Sequence, residues 1–246
     1  MTLRAAPQDQ EKLLDLQAID TRTAQIAHAK RTLPQLSTLA TLGSSADALR
    51  RRLATEQGAL EDLRAELGRI ESDVKVVETR KARDAQRLQS TASAKDAQGL
   101  EHELASLARR QSDLEDMELS VMERLETQEA VMAQLEAERA ELAARRETLE
   151  VERDDAWAQL DAEAGELVGR RQTLVGDLPA ERVELYERQR SRYGIGAALL
   201  RRGVSGGSNV ALTGSDLAAV RAAAPDEVVL DPESGCILVR TAESGI

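Results

Sequence analysis

The sequence is almost devoid of aromatic residues. It has no Phe, and its only aromatic side chains are Trp157, Tyr186 and Tyr193. Because aromatic side chains supply much of the buried area in compact enzyme cores, this scarcity argues against a globular enzyme. Charged residues make up 31% of the chain, and Ala, Leu, Glu and Arg dominate its composition, which is typical of coiled coils and long helices. We therefore predict a mainly α-helical protein that is not an enzyme.

Cysteine and long apolar runs are also scarce. Cys236 is the only cysteine, so no internal disulfide can form, and a reducing compartment fits this usage. No apolar run approaches the roughly 18 residues needed to cross a membrane, and the first residues become charged too early for a signal peptide. We expect a cytoplasmic bacterial protein that has no membrane association and needs no cofactor.

Two long runs carry aliphatic residues at alternate spacings of four and three. The first runs from Leu49 to Leu88 and the second from Leu100 to Leu174. A repeat of 3.5 residues keeps one stripe of each helix facing a partner helix, which predicts a coiled coil. Polar residues interrupt the stripes at a set of seam positions: Glu56, Lys81, Gln111, Glu118, Gln128, Arg139, Arg146 and Arg153. Such residues can fix the register of a coiled coil at some cost in stability.

A short polar segment separates the two runs and predicts a turn near residues 90–97. Ser93, followed three residues later by Asp96, is a capping pattern for the start of the second helix. A short turn makes the two helices antiparallel neighbours. In that register Leu49 is expected to lie near Arg139.

The predicted coiled-coil hairpin covers residues 8–192, with a kink near 34–45, where a proline interrupts the helical pattern. A linker rich in glycine follows over residues 193–204. Residues 205–242 then read as a small α+β module that contains one capped helix and one β-hairpin.

Three segments of this sequence resemble a known family: KDAQGLEHELASLARRQSDLEDMELSVMERLE, LYERQRSRYG and GCILVR. They are similar to the bacterial C4-type zinc ribbon domain proteins, in which a coiled-coil hairpin precedes a four-cysteine ribbon. The resemblance covers nearly the whole chain. It implies the fold class stated above: mainly α, a long antiparallel coiled-coil hairpin followed by a small α+β zinc-ribbon-like module.

The resemblance also places two metal-binding Cys-x-x-Cys knuckles in the module. Here the four former ligand positions hold Ser205, Ser208, Asp231 and Ser234. Structural zinc sites need thiolate or imidazole ligands, so three hydroxyls and one carboxylate are not expected to bind zinc. We predict a degenerate ribbon that has no metal.

One segment is basic in an otherwise acidic chain whose net charge is −11. The candidate binding residues between 182 and 202 are Arg182, Arg188, Arg190, Arg192, Arg201 and Arg202, with Tyr186 and Tyr193. This pattern fits RNA binding or docking on an acidic partner. The alternative is a solvated helix face whose arginine stems pack on the coil.

A possible catalytic motif, G-x-S-x-G at residues 203–207, has little support. A nucleophile elbow needs a nearby histidine, and the only histidines, His28 and His102, lie in the predicted coiled coil. No catalytic residue is therefore assigned.

Two functions fit the sequence. The first is a non-catalytic interaction scaffold or chaperone-like adaptor, acting on an unidentified protein partner through the coiled coil and the C-terminal module. The alternative is an RNA-binding regulator that uses residues 182–202 and the module. In either case we expect a monomer or a weak dimer.

Overall fold

The computed structural model describes residues 4–245 and is mainly helical, as predicted. The elements are α1 (Pro7–Arg31), α2 (Pro34–Ser90), α3 (Ala94–Gly176), α4 (Ala180–Tyr193), β1 (Ala197–Arg201), β2 (Val204–Ser205), α5 (Gly214–Ala222), β3 (Val229–Leu230), β4 (Ile237–Val239) and a 3₁₀ helix (Ala242–Ser244). They form two compact units. Residues Gln35–Val151 form the hairpin unit, and residues up to Pro34 join those from Glu152 onward in the base unit.

The hairpin unit consists of α2 and the first part of α3, which run antiparallel. A three-residue turn joins the helices, and the side-chain oxygen of Ser93 accepts a hydrogen bond of 3.3 Å from the amide of Asp96. Ion pairs between the helices, such as Arg64 with Glu129 at 2.8 Å, follow the antiparallel register. The predicted helical hairpin is therefore confirmed, with its turn at residues 91–93.

Aliphatic residues fill the seam of the hairpin unit. The buried members are Leu42, Leu49, Leu53, Leu60, Leu63, Leu107, Leu114, Val121 and Leu135. Leu49 and Leu53 of α2 pack directly against Leu135 of α3. The 3.5-residue spacing read from the sequence therefore produces an apolar stripe on each helix, which polar residues interrupt at several positions.

Polar residues at seam positions pair with each other across the two helices. The amide of Gln128 donates to the backbone carbonyl of Glu56 at 3.0 Å and to its carboxylate at 2.7 Å. The ammonium of Lys81 donates to the amide oxygen of Gln111 at 2.9 Å. A shift in register would separate these pairs, so they hold the alignment of the hairpin.

The helical break predicted near residues 34–45 lies slightly earlier. Helix α1 ends at Arg31 and α2 begins at Pro34, whereas residues 35–45 are helical throughout. Proline has no amide hydrogen to donate and favours the first position of a helix, so it starts α2 instead of kinking it.

The base unit has a core in which α1 packs against the end of α3. Ile19 and Ile26 of α1 contact Leu167 of α3. The C-terminal strands form a sheet in the order β2-β1-β4-β3, in which β1 and β4 are parallel and the other pairs antiparallel. The β-hairpin predicted within the module is the antiparallel pair β3 and β4.

This sheet lies on the helices of the base unit. Residues from α1, the α3–α4 turn, α4, β1 and β4 form one buried cluster: Leu13, Leu16, Leu178, Tyr186, Ala197, Ile237 and Val239. The N-terminal segment adds to the contact, because the amide of Ala5 donates to the carbonyl of Asp226 at 2.6 Å. The module thus shares its core with the helices, as expected for a small segment with too few apolar residues of its own.

A second cluster lies under α5, where Leu200, Val220 and Leu238 are buried together. The guanidinium of Arg240 closes this end of the module, donating to backbone carbonyls that include those of Ala223 at 2.8 Å and Glu227 at 2.7 Å. These carbonyls follow the last turn of α5, where a cation is favourable because helix C-termini are negative.

Part of the segment predicted as a linker is structured. Within residues 193–204, residues 197–201 form β1, whose side chains are largely buried. The short apolar run that follows Gly196 supplies those side chains, although the flanking glycines favour a loop assignment. Conversely, residues 210–212 resemble a strand in sequence but form only an isolated bridge at Ala211.

Candidate functional site

The structure brings together the four positions that resemble former metal ligands. The hydroxyl of Ser205, which precedes α5, donates to a carboxylate oxygen of Asp231 at 2.7 Å. The hydroxyl of Ser234 donates to the same oxygen at 2.5 Å. Ser205 and Asp231 are 0% and 1% exposed, respectively. The end of β2 and the loop after β3 are therefore joined through one buried carboxylate.

Backbone amides complete this carboxylate cluster. Gly207 donates to the hydroxyl of Ser205 at 3.1 Å, and Glu233 donates to the second carboxylate oxygen of Asp231 at 3.3 Å. Ser208 has a buried hydroxyl that makes no hydrogen bond with residues 4–245 but lies near enough to Asp231 to favour the charged carboxylate. Burial raises the pKa of Asp231, but the hydroxyls of Ser234 and Ser205 outweigh it and hold this pKa below its ordinary value.

The cluster does not fit a zinc ion. Zinc in structural sites is held by thiolates or imidazoles, whereas this cluster offers hydroxyls and one carboxylate whose oxygens already accept hydrogen bonds. Cys236 is close by, since its sulfur lies 3.1 Å from the hydroxyl oxygen of Ser234, but burial raises the pKa of this thiol and disfavours the thiolate. Within residues 4–245 no three His, Cys, Asp or Glu residues are grouped as metal ligands would be.

Two glycines allow the loops to close around the cluster. A Cβ atom at Gly207 would lie 2.4 Å from the sulfur of Cys236. Gly235 has a φ of +67° and lies against the ring of Tyr193, which a Cβ atom would meet at 2.4 Å. Only glycine fits these positions: the close approach of the sulfur excludes a side chain at Gly207, and the ring of Tyr193 together with the positive φ excludes one at Gly235.

The predicted basic segment divides into a buried part and an exposed part. Arg190 contacts Glu187 at 2.9 Å and Asp20 at 3.3 Å. Asp20 also accepts a 2.7 Å hydrogen bond from Arg171 on α3, which in turn pairs with Glu187. Burial raises the pKa of Asp20, but the hydrogen bonds from Arg171 and Tyr186 outweigh it and lower that pKa.

Two further candidate residues are also used inside the base unit. Arg182 pairs with Asp9 at 2.6 Å and donates to the carbonyl of Arg4. Tyr186 is 0% exposed, and its hydroxyl donates to Asp20. Tyr186 is therefore not a candidate binding residue, because its buried ring is inaccessible to a partner.

The exposed part of the segment keeps an aromatic and several cations. The guanidinium of Arg192 lies over the ring of Tyr193, 5.2 Å from its centre, and Tyr193 is 45% exposed. Arg188 and Arg202 are exposed and make no ion pair with the described residues, while Arg201 pairs with Glu243 at 3.3 Å across exposed surface. We call these residues the candidate basic surface: Arg188, Arg192, Tyr193, Arg201 and Arg202, with Gly235 beneath the ring of Tyr193.

The ion network around the buried Asp20 was not predicted from the sequence. Asp20 and Arg171 are separated by 151 positions, and no motif connects them. One available signal was that Asp20 directly follows Ile19 at the edge of an apolar stripe, where a charged residue needs a partner once it is buried.

The structure defines a class of protein in which a helical hairpin is followed by a small C-terminal module of strands. Comparisons with known proteins find the same class. Residues 16–194 match the family model of the CT398-like coiled coil hairpin domain. The chain belongs to this family.

Relatives span nearly the whole chain. An uncharacterized protein of Mycobacterium tuberculosis is 38% identical over 243 residues, which is 97% of this chain and 98% of that protein. A structure from Mycobacterium smegmatis is 35% identical with a TM-score of 0.87, covering 97% of this chain and 100% of that one. The structure of CT398 from Chlamydia trachomatis has a TM-score of 0.66 at 16% identity, covering 95% and 98% of the two chains; this likeness concerns the fold alone. Within residues 4–245, no helix has both the length and the apolar character that a membrane span requires.

Proposed function

We propose that this protein is a non-catalytic interaction scaffold, or chaperone-like adaptor, that holds a protein partner on its helical hairpin. The observation that carries the proposal is the exposure of two large apolar side chains one turn apart on α3: Leu119 is 60% exposed and Met122 is 47% exposed. Residues three apart are neighbours on the surface of a helix, so these two form one apolar patch.

The chemistry of the patch supports a protein partner. Apolar side chains grouped on a polar helix are typical of interaction sites, and methionine adapts its shape to varied partners. Further exposed apolar residues of the hairpin unit are Val76, Met117 and Val151. The seam inside the hairpin unit is filled by other residues, so none of these side chains is needed to hold the two helices together.

We further infer that the C-terminal module is a zinc-ribbon-like fold that has replaced its metal with hydrogen bonds. The support is the convergence of Ser205, Ser208, Asp231 and Ser234 from two separate loops. In this interpretation the module is a rigid part of the base unit, held by the carboxylate and by its shared core with α1 and α4. We place the protein in the cytoplasm, where its single reduced Cys236 fits.

The scaffold proposal can be tested by affinity purification of the tagged full-length chain from cells of its source. We expect a defined protein partner that is retained after ribonuclease treatment. A variant with Leu119→Glu and Met122→Glu is expected to lose it, whereas Ala140→Glu, at an exposed position of the same helix, is expected to keep it. Equal recovery with both variants would contradict the assignment of the patch.

A second candidate function is RNA binding by the candidate basic surface. The observation that favours it is the stacked pair of Arg192 and Tyr193, since exposed aromatic rings and guanidinium planes are the groups on which unpaired bases stack. This reading predicts that ribonuclease releases the partners and that Tyr193→Ala weakens RNA retention. The acidic net charge of −11 opposes it through repulsion of phosphates.

A further inference from the structure

The outer side of α3 in the hairpin unit carries apolar side chains that the seam does not use. Leu114 and Val121 are buried in the seam, whereas Leu119 and Met122 are 60% and 47% exposed. Leu119 follows Leu114 by five positions and precedes Val121 by two. Since each residue turns the helix by about 100°, both spacings place Leu119 on the side of α3 away from the seam.

Carboxylates lie one to two turns from Leu119 in both directions along the helix. Glu115 and Asp116 precede it by four and three positions, and Glu123 and Glu126 follow it by four and seven. Residues at these spacings are neighbours on a helix surface, and all four are exposed. We call the acidic face the set of exposed residues Glu115, Asp116, Leu119, Met122, Glu123 and Glu126. It extends for about 17 Å along the helix axis.

The carboxylates of the acidic face have no cationic partner among the described residues. The stretch 111–123 contains no Lys or Arg, and the next cation, Arg124, pairs with a carboxylate of α2 at 3.4 Å. Glu115 accepts a 2.8 Å hydrogen bond from the neutral amide of Gln111. The other three carboxylates make no ion pair or side-chain hydrogen bond with residues 4–245: those of Asp116, Glu123 and Glu126. Their charge is therefore available to a cationic group from outside the chain.

These two features together specify the chemistry of the partner. The exposed pair Leu119 and Met122 offers apolar area, which a polypeptide with large aliphatic side chains would cover. Uncompensated carboxylates around this pair repel phosphates, so a nucleic acid or an anionic membrane surface is disfavoured here. A polypeptide that presents aliphatic residues beside Lys or Arg matches both the apolar and the charged part of the surface.

The spacing of the acidic face fits a helix. An amphipathic helix repeats its side chains every three or four positions along one face, which is also the spacing of the exposed residues on α3. Two aliphatic residues at the centre of such a helix would cover Leu119 and Met122. Lys or Arg one turn before and one turn after them would then lie beside the carboxylates at the two ends of the face.

We propose that the acidic face binds a basic amphipathic helix of a partner protein, with aliphatic residues flanked by Lys or Arg. The proposal rests on the scaffold function, whose apolar patch it includes, and adds the chemistry of the partner. Because opposite charges favour encounter and like charges disfavour it, the face selects cationic helices over acidic ones that carry the same aliphatic residues.

The test uses the purified full-length chain and a fluorescein-labelled helical peptide of about 18 residues, which is roughly 27 Å long and spans the face. The peptide carries Leu along one side and Lys on both flanks; a matched peptide carries Glu in place of every Lys. Fluorescence anisotropy is expected to show binding of the Lys peptide that weakens with added salt. Binding of the Glu peptide should be at least about tenfold weaker.

Matched charge variants locate the site. The pair Glu123→Gln and Glu126→Gln is expected to weaken binding of the Lys peptide at least about tenfold. The pair Glu138→Gln and Glu141→Gln removes the same charge at the same spacing from exposed positions of α3 outside the face. It is expected to change binding by less than about threefold.

A second pair of variants tests the apolar contact without changing charge. Leu119→Ala combined with Met122→Ala should weaken binding of the Lys peptide at least about tenfold, whereas Val151→Ala should change it by less than about threefold. Val151 is 56% exposed on the same helix and lies outside the acidic face. All of these positions are exposed, so circular dichroism should show the same helical content in every variant.

Three results would overturn the proposal: no binding of the Lys peptide, equal binding of the Glu peptide, or equal weakening by the control variants. A concentration-dependent dimer that the double alanine variant abolishes would assign the face to a second copy of this chain instead. A partner that is recovered through Leu119 and Met122 but carries no basic helix would refute this inference alone. Failure of the scaffold function would appear as no recovered partner at all.

Discussion

The hydroxyl of Tyr186 donates a 2.8 Å hydrogen bond to a carboxylate oxygen of Asp20, and this bond ties α4 to α1 inside the base unit. Arg171 on α3 donates to the same carboxylate, so three helices share one acceptor. The ring of Tyr186 also fits against Gly196, where a Cβ atom would lie 2.4 Å away. Tyr186 therefore positions both the helices and the start of the C-terminal sheet.

Replacing Tyr186 with Phe should destabilise the protein by about 1–3 kcal/mol, because the buried Asp20 loses a donor while the ring contacts persist. Urea unfolding followed by circular dichroism measures this change. The matched control is Tyr193→Phe, whose hydroxyl makes no hydrogen bond with the described residues; it should stay within about 0.5 kcal/mol of the native chain. Equal effects would contradict the role of the Asp20 contact.

Acid should weaken the carboxylate cluster of the module. The pKa of Asp231 is lowered in the folded chain from an ordinary value of 3.8, so the charged carboxylate stabilises the fold. This contribution is fully present above the unfolded pKa and is lost as the pH falls through the lower folded pKa.

The variant Asp231→Asn isolates this effect. It should be less stable than the native chain at pH 7, and thermal unfolding should show the difference shrinking as the pH falls below about 4. Asp161→Asn, at an exposed carboxylate on α3, serves as the control and should show little change. A stability difference for Asp231→Asn that is the same at every pH would contradict a charged Asp231.

A charge in the seam of the hairpin unit should be costly. Leu135 is 2% exposed and packs against Leu49 and Leu53, so Leu135→Asp should cost about 3–5 kcal/mol through lost packing and a buried unpaired carboxylate. Leu119→Asp introduces the same charge at an exposed position of the same helix and should cost little. Comparable losses in chemical denaturation would show that the seam is not where the structure places it.

Elemental analysis should find no stoichiometric zinc in chain purified without a metal-affinity step, because the four loop positions lack thiolates. Converting Ser205, Ser208, Asp231 and Ser234 together to Cys should create a site that takes up about one zinc per chain. Zinc in the native chain would contradict the hydrogen-bonded cluster. No uptake by the four-cysteine variant would contradict the zinc-ribbon-like origin of the loops.

The features that could be predicted from sequence depend on residues close together in the chain. The cap formed by Ser93 and Asp96 joins residues only three positions apart, and the leucine stripes repeat every few residues. Strand β1 was missed because its apolar residues follow Gly194 and Gly196, and glycine-rich sequence also fits a loop.

The burial of Tyr186 could not be predicted for a different reason. A short helix rich in arginine gives no local sign that one face is covered, and the partners of that face lie about 170 positions earlier in the chain. By contrast, the positions of Ser205 and Asp231 could be identified from a family resemblance. Their direct hydrogen bond appears only once both loops are placed.

The most direct test of the scaffold function is site-specific photo-crosslinking in living cells, with a benzophenone amino acid placed at position 119 or 122 of the full chain and at position 140 as the control. We expect protein adducts at positions 119 and 122, unaffected by ribonuclease, and none at position 140. An absence of protein adducts at positions 119 and 122, with ribonuclease-sensitive adducts from a probe at position 193, would contradict the scaffold and favour RNA binding.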